Sequence, residues 1–74
     1  MLPSDKVKQA RDQRQKITFD IGDLREIFET TDGGARKIMR AIKQGASDPD
    51  GKWSYPAVLA AALKLEGKLP EGES

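Results

Sequence analysis

A chain of 74 residues holds one domain, and the absence of Cys rules out a disulfide framework and a thiolate metal site. Its 13 Lys and Arg against 12 Asp and Glu leave a formal net charge of +1, too little to announce a polyanion-binding protein by sum alone. No apolar run reaches the roughly 18 residues of a membrane span, and the start MLPSDKVKQ has no signal-peptide core, which points to a soluble cytoplasmic protein with no membrane partner.

The charge is distributed in blocks. Residues 1–16 carry five bases and two acids, 17–33 carry Arg25 and five acids, and 34–45 carry four bases and no acid. The rest has three bases and five acids, so +3, −4, +4 and −2 add to +1. Segregation of this kind is what an anion-binding face requires.

In chain order, residues 1–16 form a basic N-terminal arm. Ser4 is a good N-cap, but Val7 and Ala10 are the only apolar positions between Asp5 and Gln15. A helix without a wide apolar stripe is marginal in water, so the arm is expected to be frayed, or helical only against a partner. Residues 17–67 then form the domain proper. The run Lys16-Ile17-Thr18-Phe19 suits one brief strand. Asp20 caps a helix over about 21–30, with Ile21, Leu24, Ile27 and Phe28 at helical spacing and the acids outward. Thr30-Thr31-Asp32-Gly33-Gly34 breaks it, and Ala35, Ile38, Met39 and Ile42 mark a second helix over about 34–44, stopped by Gly45.

Asp48-Pro49-Asp50-Gly51 fits a type I turn position by position. Lys52-Trp53-Ser54-Tyr55 alternates polar with aromatic like a half-buried strand, so the stretch is read as a two-stranded hairpin with Trp53 and Tyr55 as core plugs. Pro56 suits the first turn of a third helix with Val58, Leu59, Ala62, Leu63 and Leu65 as its stripe. The expected core also includes Ile17. After Gly67, residues 68–74 are expected to be a disordered tail. The fold class is therefore mainly α with a small β-hairpin: three helices plus a two- or three-stranded wing sheet, a winged helix-turn-helix.

Two helices joined by a short Gly-containing turn place the second helix where it can enter a major groove. On a helical projection Arg36, Lys37, Arg40, Lys43 and Gln44 lie opposite the apolar stripe. Arg36 and Arg40, one turn apart, suit guanine edges through their two-pronged guanidinium groups, while Lys37 and Lys43 suit phosphates. Gly34, with Gly33, would let a phosphate approach the amides at the start of that helix. Lys52 is the only base of the hairpin, beside Asp48 and Asp50. Lys6, Lys8, Arg11, Arg14 and Lys16 of the arm are candidates for backbone contacts or for a protein partner.

The stretch SDPDGKWSYP also resembles half of a calcium loop. Aligning Asp48, Asp50 and Gly51 with positions 3, 5 and 6 of an EF-hand puts Ala46 and Ala57 at the two outer ligand positions, so no metal or other cofactor is expected. Nor is catalysis: there is no His or Cys, no Lys sits in an apolar run, and Asp20, Asp23, Glu26 and Glu29 lie along an exposed helix face.

The short "ITF" strand, "DLREIF", "ARKIMRAIKQG" and "KWSYPAVLAAAL" resemble, over about Ile17 to Leu65, the small winged helix-turn-helix domains of phage excisionases, which direct recombination, and MerR-like domains. The resemblance implies a major-groove role for Arg36, Lys37, Arg40 and Lys43 and a wing contact for Lys52. It also implies an accessory architectural factor or transcriptional regulator that assembles in several copies on double-stranded DNA, with an integrase or recombinase as partner, in the nucleoid of a bacterial or phage-infected cell. The acidic wing and the turn "TTDGG" depart from the family's pattern, which usually has arginines in the wing and an apolar-Ser turn. Two other readings stay open: a phage or plasmid adaptor that binds only protein, and the DNA-recognition head of a phage packaging subunit.

Overall fold

Two caps set the central pair of helices. In the computed structural model, which describes residues 2–43 and 45–67, Asp20 has extended backbone and its Oδ1 accepts the Asp23 N–H at 2.9 Å, while Asp23 Oδ2 accepts the Asp20 N–H at 3.2 Å. This reciprocal box starts α2 (Ile21–Phe28) and satisfies two of the amides a helix start leaves unpaired. Leu24, Ile27 and Phe28 are its buried face. Glu29 ends it in the left-handed region, φ 52°, and its N–H donates to Arg25 O.

The next helix, α3 (Asp32–Arg40), begins earlier than the spacing of its apolar residues predicts. Thr31 is the cap, its Oγ1 accepting the Gly34 N–H at 3.2 Å, so Asp32, Gly33 and Gly34 are the first helical turn rather than the break. The connection shrinks to Glu29, Thr30 and Thr31. A Cβ on Gly34 would stand 2.1 Å from Thr30 Oγ1, so the missing side chain is what lets the turn close on the helix. The helix also ends earlier than expected, at Arg40: the Ala41 N–H reaches Ile38 O at 3.2 Å and the Ile42 N–H reaches Met39 O at 3.3 Å, tightening the last turn. The expected stripe holds, with Ala35 and Met39 fully buried and Ile38 and Ile42 packed at the core's edge.

The small β component is a two-stranded antiparallel sheet of β1 (Thr18–Phe19) and β2 (Trp53–Ser54), with Thr18 opposite Ser54 and Phe19 opposite Trp53. The residues just before the Asp48 turn do not supply the partner strand. The turn itself forms, with the Gly51 N–H on Asp48 O at 2.9 Å and the Asp48 N–H on Lys52 O at 2.7 Å. Gly51 takes φ 78°, a conformation suited to glycine. Further back, however, the Gly45 carbonyl is taken by the Trp53 indole N–H at 2.8 Å instead of by a ladder bond. Trp53 is thereby buried, as expected of a core plug.

The chain then turns directly into α4 (Tyr55–Leu65), with Pro56 in its first turn. Val58 and Ala62 are buried as expected; Ala57 and Ala61 join them, and these small side chains let neighbouring helices approach closely. Two expected core residues are outside: Ile17 is 67% exposed, because the strand starts only at Thr18, and Leu65 is 50% exposed in the last turn of α4.

The basic arm at the start of the chain is helical, as one of the expectations for it allowed. It is a helix of the domain, α1 (Pro3–Arg14), packed against α4 and α2. Val7 is fully buried in the core and Ala10 packs at its edge. Ser4, 3% exposed, is held by Glu66, whose Oε1 accepts its N–H at 2.8 Å and its hydroxyl at 2.7 Å. One anchor and a polar clasp replace the apolar stripe the sequence lacks. The described residues thus form four helices and one small sheet. The tail expected as disordered, 68–74, lies outside the described residues.

Candidate nucleic-acid interface

Helical geometry puts Asp32, Arg36 and Arg40 in one row at i, i+4 and i+8 that starts beside buried Met39 and turns away from it toward Arg40, with Lys37 further round on the outer side. Arg36, Lys37 and Arg40 are exposed, and so is Lys43. Among the described residues none of these four cations forms an ion pair. Long basic side chains left without carboxylate partners keep their full charge available to an anion.

Two expected contacts are placed differently from the sequence expectation. Lys43 lies in the turn after α3, not on the helix, because the helix stops at Arg40. Gly34 offers no free amide for a phosphate: its N–H is bonded to Thr31 Oγ1, and Asp32 already places a carboxylate in that first turn. Gln44 lies outside the described residues.

Lys52 is exposed and lines a shallow groove of about 250 Å3 with Gln15, Lys16, Thr18, Asp20 and Asp23. Beside it, Asp48 Oδ1 accepts the N–H groups of Asp50 and Lys52 at 2.9 and 2.8 Å, so this carboxylate holds the loop's own backbone. Asp48 is one of the residues that suggested calcium.

The cations of α1 and the segment after it divide. Lys6 Nζ lies 3.8 Å from Glu29 Oε1 and donates to Glu26 O at 3.3 Å, and Lys16 Nζ bonds Asp23 Oδ2 at 2.6 Å. The Arg11 guanidinium sits 4.7 Å above the Tyr55 ring. Lys8 and Arg14 are exposed and make no ion pair among the described residues. Between α1 and α2 runs a groove of about 270 Å3 whose walls mix Lys6, Arg14 and Lys16 with Asp23 and Glu26. In the groove beside Lys52 the Asp20 carboxyl is held below the usual aspartate range, chiefly by the Asp23 amide it accepts, with help from the Lys16 charge.

Two residues near α3 escaped the sequence reading. Lys64 of α4 donates to Ala41 O at 2.7 Å, a cation placed at the carbonyl end of α3. Arg25 Nε lies 3.2 Å from Asp32 Oδ1, joining the end of α2 to the start of α3. The available signal was that Arg25 is the lone base among five acids in 17–33. No family model matches the chain, and comparison with curated proteins and with solved structures finds no match.

Proposed function

We propose that this chain binds double-stranded DNA as a small winged helix-turn-helix protein, with α3 entering the major groove. The observation that carries the reading is the set of exposed, unpaired cations Arg36, Lys37, Arg40 and Lys43 on and just after one helix. In a helix-turn-helix the second helix reads base edges while the first crosses the backbone, and α2, a three-residue turn and α3 supply that order. Arg36 and Arg40 are the base readers; Lys37 and Lys43 are phosphate contacts. The Asp48–Lys52 loop is the wing, and only Lys52 of it attracts phosphate. Such a module contacts few phosphates, so useful affinity comes from several copies side by side. An architectural role beside a recombinase, or repression at a promoter, fits that mode without any catalysis by the chain itself.

Binding to random and to selected duplexes, titrated with salt, tests the reading. Arg40→Ala and Lys43→Ala are expected to weaken binding, and Lys43→Ala to lower the salt slope by about 0.9, the value for one phosphate contact. Unchanged affinity and slope in both variants would defeat it and leave the basic face to an acidic protein partner.

A further inference from the structure

We infer that Arg25, on α2, is an additional backbone-phosphate contact of this interface, bridging Asp32 and the nucleic acid; the inference rests on the DNA-binding reading above. The row Asp32, Arg36, Arg40 contains one acid. Left alone, Asp32 would pair with Arg36 one turn on, the favourable order of acid before base on a helix. The structure gives Asp32 to Arg25 instead: Nε to Oδ1 is 3.2 Å, and Arg36 stays unpaired among the described residues. The single carboxylate of the basic face is thereby neutralised where the row begins.

Arg25 keeps more than it gives to that pair. A guanidinium carries five N–H donors in a fixed fork, and the contact to Asp32 uses the Nε side of it. The side chain is 57% exposed and Asp32 50% exposed, so the remaining donors are open to solvent. The pair also sits at the α2–α3 turn, where the first helix of such a unit meets the phosphate backbone. A guanidinium already oriented by a carboxylate loses little conformational freedom on meeting a phosphate.

The test compares Arg25→Ala, Asp32→Asn and the double variant with Arg36→Ala, by salt-titrated binding to a random duplex. Arg25→Ala is expected to lower the salt slope by about 0.9. The affinity lost between about 50 and about 200 mM salt then shrinks by roughly 3.5-fold, which is four raised to that power. The double variant should keep the reduced slope, and Asp32→Asn alone should bind as tightly as the parent or more so. Restoration of the parental slope in the double variant would overturn the inference, since Arg25 would then act only by occupying Asp32. An unchanged slope in Arg25→Ala beside a weakened Arg36→Ala would overturn it too, while sparing the DNA reading. If the parent itself shows no salt-dependent binding, both fall. Should Arg25→Ala fold poorly by circular dichroism, Arg25→Gln, which keeps a hydrogen-bond donor without the charge, is read against the same slope.

Discussion

The helices α1 and α3 each carry several cations, yet they use them in opposite ways. Around α1, Lys6 meets Glu29, Arg11 covers Tyr55 and, just after the helix, Lys16 is bonded to Asp23. On α3 and just after it, Arg36, Lys37, Arg40 and Lys43 meet no carboxylate of the described residues. The difference comes from α2, which packs against both. Its carboxylates Asp23 and Glu29 engage lysines from the α1 side, whereas toward α3 it presents Arg25. The acid-rich segment therefore engages Lys6 and Lys16 of the first basic segment, where Lys8 and Arg14 stay exposed and without an ion pair among the described residues, and it engages none of the cations on and just after α3, so the near-zero net charge of the chain hides a cationic face.

The largest expected effect is on the free set. Replacing both Arg36 and Arg40 by Ala should cost a preferred duplex about 2–6 kcal/mol of binding, taking roughly 1–3 for each two-pronged base contact. Thermal stability should stay within about 0.5 kcal/mol, because both side chains are exposed. Isothermal titration with a melting curve on the same sample measures both. A large loss of stability with intact binding would reverse the roles assigned to the two basic helices.

Next in size is Val7→Ala. If α1 is part of the domain, removing two buried methyl groups should cost about 1.5–3 kcal/mol in urea unfolding, with the whole chain still melting in one transition. A change near zero would return α1 to the status of a loose arm. That status is what its sequence suggests, and the reason is instructive. Helix propensity and periodicity see only Val7 and Ala10 in α1. The Ser4 clasp to Glu66 and the small surface of Ala57 and Ala61 come from the far end of the chain, where no local pattern reaches. By contrast α2, α3 and α4 were legible, since Leu24, Ile27 and Phe28, Ala35 and Met39, Val58 and Ala62 recur at the helical period. The partner of β2 was not, because strands of two residues leave too short an alternation to choose between β1 and the chain before Asp48. The cations of α3 were legible as exposed, but whether any carboxylate would reach them depends on packing alone.

Third is Asp20→Ala, which removes the cap on the helix that partitions the charges. At neutral pH it should cost about 0.5–2 kcal/mol. The sign of its pH dependence follows from the depressed carboxyl of Asp20. Folding favours the ionised form, so the contribution is complete above the ordinary value of 3.8 and is lost as pH falls through the lower folded value. Parent and variant should therefore converge in stability in acid. A gap that persists below pH of about 2 would show that the carboxylate's charge is not what the cap contributes.

The smallest effects separate the bound cations from one another. Lys6→Met breaks a 3.8 Å pair to a Glu29 side chain that is 79% exposed, and about 0–0.5 kcal/mol is expected. Lys16→Met breaks a 2.6 Å bond to an Asp23 that is only 18% exposed, which argues for more. The same Oδ2 still accepts the Asp20 amide at 3.2 Å, however, so Asp23 is not stranded and the cost should stay near 1 kcal/mol. Neither replacement should alter the salt slope of duplex binding, because each removed charge is already answered inside the protein. A slope that falls with Lys16→Met would mean that the polyanion outcompetes Asp23 for this lysine, and the contrast between the two basic regions would then hold only for the unbound chain.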